Sequence, residues 1–361
     1  MFSRLSFKAL LISALFGASS LSLAALQMET IAEGLDTPWS VAELPDGGFL
    51  VTERPGSIKR VAPSGEMTAV TGVPEVFAKR QGGLFDVVLH PNFATNNTVF
   101  LAYAAGSEDS NQTTVARGVL DGSALTDVTV IFEVSPTKRG GGHFGGRMAF
   151  LADGTMLLSV GEGYTLREDA QKTGSQLGKL LRMTETGEAP ADNPFPDAPY
   201  VYSYGHRNPQ GLIVDAATQS IWMTEHGPKG GDELNRIEAG KNYGWPAITY
   251  GVDYSGAIIS PFTEAPGMEQ PITYWVPSIA TSGLALYTSS AIPNLTGKLL
   301  VGGLKAKKVV AVDLSGEKPV LSEPFPDLEA RVRDVRALSD GSIAVIDEAG
   351  GKVIRVSQGA D

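Results

Sequence analysis

No cysteine occurs among the 361 residues. Disulfide staples are therefore excluded, and stability has to come from packing and from any bound metal. Histidine is nearly as scarce, with four in the whole chain. Positive charge is in deficit: the formal net charge is −11, and −13 once Arg4 and Lys8 are set aside. That sign argues against nucleic acid as a partner. Long apolar runs are missing beyond the N-terminus, so no membrane span is expected. The exception is the opening, MFSRLSFKALLISALFGASSLSLAA, where Arg4 and Lys8 precede an apolar run that closes on Ser22-Leu23-Ala24. It reads as a cleaved secretory signal peptide over residues 1–24, leaving a soluble mature protein over 25–361 in a periplasm or outside the cell.

What is abundant is turn and strand chemistry. The chain has 42 glycines and 22 prolines, and no stretch alternates strands with strong amphipathic helices. A doubly wound α/β fold is thereby disfavoured. One phrase recurs, an apolar run broken by a turn: ELPDGGFLVTE at 43–53, FLADGTMLLSVGE at 150–162, VDAATQSIWMTE at 214–225 and ALSDGSIAVIDE at 337–348. The pairs Asp46-Gly47, Asp153-Gly154 and Asp340-Gly341 are hairpin-turn signals. Weaker copies are TNNTVFLAYA at 95–104 and LTGKLLVGGL at 295–304. Six units of roughly 50–60 residues match four-stranded propeller blades. The expected fold is all-β, a single six-bladed β-propeller whose closing blade mixes strands from both chain ends; a pair of β-sandwiches is the alternative. Short helices are expected only at 173–181 and around Arg331.

Five segments carry candidate chemistry. In KRQGGLFDVVLHP (79–91), Gln81 precedes two glycines and a buried strand, and His90 reads as a structural turn histidine. In GGGHFGGR (140–147), five glycines surround His143, which is either a passing loop histidine or a general base with an unperturbed pKa near 6.5. In SYGHRNPQGL (203–212), Arg207 and Asn208 suit a ligand with carboxylate or quinone oxygens, or form a surface turn. EHGPKGGDELNRIEAGKNYGWP (225–246) offers carbonyls and carboxylates, the oxygens that Ca²⁺ takes, without an EF-hand loop. RVRDV (331–335) sets Arg331 and Arg333 on one strand face, either solvent-exposed or around an anion.

In this order the five segments resemble one family, the soluble pyrroloquinoline quinone (PQQ)-dependent aldose and glucose dehydrogenases. The resemblance covers most of the mature chain. It implies a six-bladed propeller whose central face holds PQQ on Ca²⁺. It further implies that His143 is the base, with Gln81 beside it, and that Arg207 stands near the reacting quinone carbonyl, with Asn208 next to it. Lys305 and Ser278 would contact the cofactor, and Arg331 with Arg333 would clamp its carboxylates. The carbonyls of Gly227 and Pro228 would hold its calcium, while Glu233 and the Tyr243 carbonyl would form a second calcium site.

Gly142, Glu162 and His226 stand where the better-known glucose enzymes carry aspartate, aspartate and glutamine. These departures resemble the aldose sugar dehydrogenase branch. The implied reaction oxidises an aldose at C1 to the lactone and passes electrons to an external acceptor. Two rivals remain, a calcium-dependent propeller lactonase and a ligand-binding propeller without activity. The lactonase would need carboxylates and amides at the inner ends of all blades, and the sequence shows no such set.

Overall fold

The structure, a computed structural model, describes residues 25–359. The expected signal peptide lies outside the described residues. Six four-stranded antiparallel sheets follow one another along the chain. The first blade consists of Pro38–Glu43, Phe49–Glu53, Ser57–Val61 and Met67–Ala69. The innermost strands of blades two to six are Leu84–Leu89, Met148–Phe150, Pro209–Val214, Thr281–Tyr287 and Val332–Ala337. Neighbouring inner strands touch all the way round the ring. The sixth blade takes its outermost strand, Leu26–Glu33, from the N-terminal end, paired antiparallel with Lys352–Gln358. The fold is a six-bladed β-propeller closed by strands from both ends of the chain.

The recurring phrases turn out to be the hairpins joining the first and second strands of blades one, three, four and six. At each Asp-Gly turn the glycine takes a positive φ, +80° at Gly47, +83° at Gly154 and +84° at Gly341. The aspartate side chain accepts the amide two residues on, at Gly48, Thr155 and Ser342. These turns are the Asx type that Asp favours.

Second strands such as Phe49–Glu53 and Met156–Val160 are buried along their whole length. They pack on both faces. Leu50 joins a cluster with Leu84 and Val99 of blade two, while Phe49 and Val51 join one with Ala344 and Ile346 of blade six. Period-two alternation thus feeds two interfaces at once, and the core is six apolar clusters, one per blade junction.

Both helix expectations fail. Residues 173–181 end in the buried strand Lys179–Met183, and only a 3₁₀ turn, Arg167–Gln171, precedes it. Gly178 decides this: its φ is +69°, and a Cβ there would lie 2.6 Å from the Ala170 Cβ and 2.7 Å from the His206 carbonyl. Arg331 stands immediately before a strand, not in a helix. Among the described residues no helix is long and apolar enough to cross a membrane.

Ionic side chains hold the inner strands together on the axis. Arg147 of blade three is 1% exposed and reaches Asp86 of blade two at 3.4 Å and Asp334 of blade six at 3.1 Å. Its Nε donates to the Gln210 carbonyl of blade four, and its guanidinium lies 4.0 Å from the ring centre of Trp39 of blade one. Arg336 also bonds Asp86 and Asp334, and the Ser40 hydroxyl donates to Asp86. The arginine of GGGHFGGR is therefore an axial tie rather than part of a ligand loop.

Candidate active site

Above that tie the axis opens into a cavity of about 460 Å³. Its flat walls include Trp39, Phe85 and Phe144, and its charged lining comprises Arg54, Arg80, Arg331, Arg333 and Glu348. Thr37, Gln81, Asn208, Gln210 and His226 complete the polar lining. Of the candidate residues, Gln81, Asn208, Arg331 and Arg333 line it, while His143 and Arg207 are not in the lining but adjoin the lining residues Phe144 and Asn208 in sequence. They come together because segments just before inner strands, far apart in sequence, converge on one end of the axis.

A second recurrence organises the site. In blades one, three, four and six the recurring phrase ends on a glutamate, and each glutamate accepts bonds from the segment leading into its own blade's inner strand. Glu53 takes the Asp36 amide, Glu162 the His143 ring, Glu225 the His206 ring and Arg207 amide, and Glu348 the side chains of Arg331 and Arg333. His143–Glu162 and His206–Glu225 have the same spacing of 19 residues and the same 3.0 Å contact. They are equivalent positions in adjacent blades with different fates. His206 is fully buried, bonded at its other nitrogen to the Ser203 hydroxyl and stacked on Tyr243, which uses up both nitrogens.

His143 keeps one nitrogen free for chemistry. Its Nδ1 meets Glu162, its backbone amide donates to Gln81 Oε1 at 2.8 Å, and Tyr164 packs edge-on at 5.0 Å. The residue is 3% exposed and holds a left-handed φ of +48°. Burial is the largest influence lowering its pKa, and the Arg207 and Lys138 charges act in the same direction, while Glu162 opposes them. The ring is consequently neutral near pH 7, with its Nδ1 proton held by the carboxylate and an acceptor lone pair at Nε2.

The glycines around it are explained by the protein's own packing rather than by room for a ligand. A Cβ on Gly141 would stand 2.4 Å from the Lys79 carbonyl, one on Gly145 2.5 Å from the Ser159 carbonyl, and one on Gly146 2.6 Å from the Phe85 ring. The loop is tightly packed, not flexible.

Arg207 and Asn208 fall on either side of this loop. Asn208 Oδ1 accepts the Gly145 amide, and the Glu162 amide donates to the Arg207 carbonyl. The Arg207 guanidinium donates to the carbonyls of Gly227 and His226 at 2.7 and 3.1 Å, leaving its buried Nε without a partner. His226, which the sequence reading noted only as a replacement for glutamine, lines the cavity with an unpartnered Nε2.

The two arginines of RVRDV do flank an anion, but it is the chain's own Glu348. Arg333 bonds it at 2.6 and 2.9 Å, and Arg331 bonds it through Nε.

Two of the expected cofactor contacts are placed differently. The Ser278 hydroxyl does not line the cavity. It donates to Asp232, a buried carboxylate that also takes the amides of Gly227 and Ala280, so Ser278 braces the Gly-Pro turn from behind. Lys305 is exposed and follows Leu304, which lines the cavity.

Glu233 and Tyr243 lie together with Glu225 around a small space behind Arg207. Glu233 is forced up to about 8 by burial and by the neighbouring Glu225 charge, and the Asn235 Oδ1 beside these carboxylates is a buried acceptor without a donor.

Residues 35–355 match the family described as glucose / sorbosone dehydrogenase. The chain belongs to the glucose/sorbosone dehydrogenase family. The Escherichia coli aldose sugar dehydrogenase YliI is 40% identical over 347 residues, spanning 92% of this chain and 93% of that one. The crystal structure of the soluble E. coli aldose sugar dehydrogenase in its apo form superposes with a TM-score of 0.88 at 38% identity, covering 93% of this chain and 100% of that chain. The PQQ-bound aldose sugar dehydrogenase of Streptomyces coelicolor does so with a TM-score of 0.78 at 29% identity, covering 92% and 98%. Glu348, which lines the cavity, is the residue that motif reading passed over, and Glu162 and His226 entered it only as departures from the glucose enzymes; for the two glutamates, the closing residue of each recurring phrase was the available signal.

Proposed function

We propose that this family member is a PQQ- and calcium-dependent aldose dehydrogenase that oxidises C1 of the sugar to the lactone and hands electrons to an external acceptor. The observation that carries the reading is a neutral, carboxylate-held His143 beside Arg207, next to an arginine-rich cavity with flat aromatic walls.

The residues present fit such a cofactor. Four arginines against one carboxylate suit a planar tricarboxylate, and Trp39, Phe85 and Phe144 suit its faces. The orphaned His226 Nε2 and Arg207 Nε support a missing polar ligand at this end, since buried polar atoms are normally paired. Arg331 and Arg333 would hold carboxylates, with Glu348 setting their geometry, and Lys305 would reach in from the exposed side. The carbonyls of Gly227 and Pro228 would hold the cofactor's calcium. Gly227 already receives Arg207, yet a carbonyl has a second lone pair. Bound there, PQQ supplies a two-electron acceptor for the C1 hydride and calcium a Lewis acid.

The chain's own part is proton handling and orientation. His143 Nε2 takes the C1 hydroxyl proton, and Glu162 stabilises the imidazolium that results. Arg207 presents fixed positive charge where negative charge develops. Gln81 and Asn208 hold the loop that fixes the base.

Reconstitution tests the reading. Purified protein given PQQ and Ca²⁺ should bleach an artificial electron acceptor on adding an aldose, and neither component alone should suffice. Lactone hydrolysis without PQQ would instead favour the propeller lactonase, and quinone binding without dye reduction by any of a panel of mono- and disaccharides a non-enzymatic binding propeller.

Glu233 and the Tyr243 carbonyl would form the second calcium site. Its signature is thermodynamic. A carboxyl whose folded pKa is raised from 4.5 to about 8 binds more protons folded than unfolded between those values, so stability falls as pH rises through that window. The metal-free protein should therefore lose thermal stability from pH 5 to pH 8, and added Ca²⁺ should restore it at pH 8. A midpoint indifferent to Ca²⁺ and to chelator at pH 8 would remove this site.

A further inference from the structure

Lys138 lies outside every motif, yet it touches the residues that flank both His143 and Glu162. We propose that Lys138 is a positioning residue for His143: it braces the loop carrying the imidazole and the turn carrying its carboxylate, and its ammonium tunes how readily the imidazole takes a proton. The inference rests on His143 being the base.

The side chain is 4% exposed. Its Nζ donates to Asn111 Oδ1 at 2.9 Å and to the Gly140 carbonyl at 3.1 Å, three residues before His143. The same ammonium sits 3.5 Å from the ring centre of Phe144, the residue after His143. On the other side, its Cδ lies 2.8 Å from where a Cβ on Gly163 would stand, in the turn immediately after Glu162. Its backbone is fixed too, exchanging two hydrogen bonds with Asn111.

The charges around it are defined. Glu162 and Glu108 face Lys138, while Arg207 bears on His143 alongside it. Arg80 stacks over Tyr164, whose ring packs on His143. Burial brings the Lys138 pKa down to about 7, so its charge is present on the acid side of neutrality and fades above it. While present, that charge opposes a second positive charge on His143 and lowers the imidazole's pKa.

The test compares three variants of the full mature protein. Lys138→Gln keeps a donor for the Gly140 carbonyl but drops the charge, Lys138→Met drops both, and Lys138→Arg keeps the charge. The His143 titration, followed by NMR, should move upward in K138Q and K138M by up to about one unit. The acid limb of kcat/KM should move with it, and K138R should stay at the wild-type position. A K138Q protein with wild-type titration overturns the inference, as does a K138R shift equal to that of K138Q. K138M guards against misreading a folding defect, because lost stability with an unmoved titration is also a refutation. The NMR reading needs no turnover, so it separates this inference from the base assignment, which fails on its own if His143→Ala keeps wild-type activity.

Discussion

His143→Ala is expected to lower kcat by about 10²–10⁴-fold, the usual contribution of a positioned general base, while quinone affinity changes little. The expectation follows from where the ring is held. Its Nδ1 is committed to Glu162 and its backbone to Gln81, so Nε2 is the one nitrogen left to accept a proton. None of the cavity's arginines depends on the His143 side chain for its bonds: Arg331 and Arg333 are set by Glu348, and Arg54 donates to the Arg80 carbonyl. Carboxylate binding should therefore survive the substitution. Stopped-flow reduction by an aldose, alongside calorimetric titration with PQQ, separates the two quantities. Wild-type turnover in the variant would end the base assignment, and lost quinone affinity would recast His143 as a binding residue. The pH profile adds a check with a definite sign. The lowered pKa of His143 means that the neutral base persists on acidification, so the acid limb should lie below the usual imidazole value of about 6.5.

The second large effect is on stability. Arg147→Ala should destabilise the propeller by about 3–5 kcal/mol, as breaking a buried ionic network does when one partner is removed. Arg147 supplies cation to Asp86 and Asp334, both fully buried, and touches the inner strands of four other blades through Trp39, Asp86, Gln210 and the Arg333–Asp334 pair. Arg336 would remain, but its bonds to the same two aspartates leave Asp86 with half its compensation. Thermal and denaturant unfolding of the variant measure the loss. An unchanged midpoint would mean that apolar packing at the six junctions alone closes the ring. Because Arg147 is not among the residues lining the cavity, the folded fraction of the variant should still bind quinone, only over a narrower temperature range.

The two substitutions lie four residues apart in one glycine-rich stretch, and reading that stretch by itself could not separate their roles. The sequence reading weighed only His143 in this stretch and gave Arg147 no role of its own. In the folded chain His143 flanks the cavity while Arg147 turns down into the axis, because Gly145 and Gly146 take positive φ and send the chain sharply into the inner strand. The same limit shows at RVRDV. Two arginines on one face called for an anion, and a bridging carboxylate fifteen and seventeen residues away supplied it. Ser278 had the right neighbourhood and the wrong bond, because a hydroxyl beside a buried carboxylate donates to it first.

The propeller itself was determined by local chemistry. Strands apolar on both faces and joined by tight turns can only be buried by stacking sheet on sheet, and six recurrences of that phrase, three of them through an Asp-Gly pair, set the number of blades. The ordered motifs likewise identified the family, and the segments carrying His143, Gln81, Arg207 and Asn208 meet at one end of the axis, since each precedes an inner strand and the ring brings those positions together. What the tertiary structure alone decided is which of these polar groups face one another. His143 and His206 occupy matching places with matching glutamates, and nothing in their spacing tells which ring keeps a nitrogen free. Only the packing of neighbouring blades does so, by putting Ser203 and Tyr243 against one ring and leaving the other beside Tyr164 and Lys138. A residue type fixes which bonds a side chain can make; its neighbours in space fix which of them it has left to use.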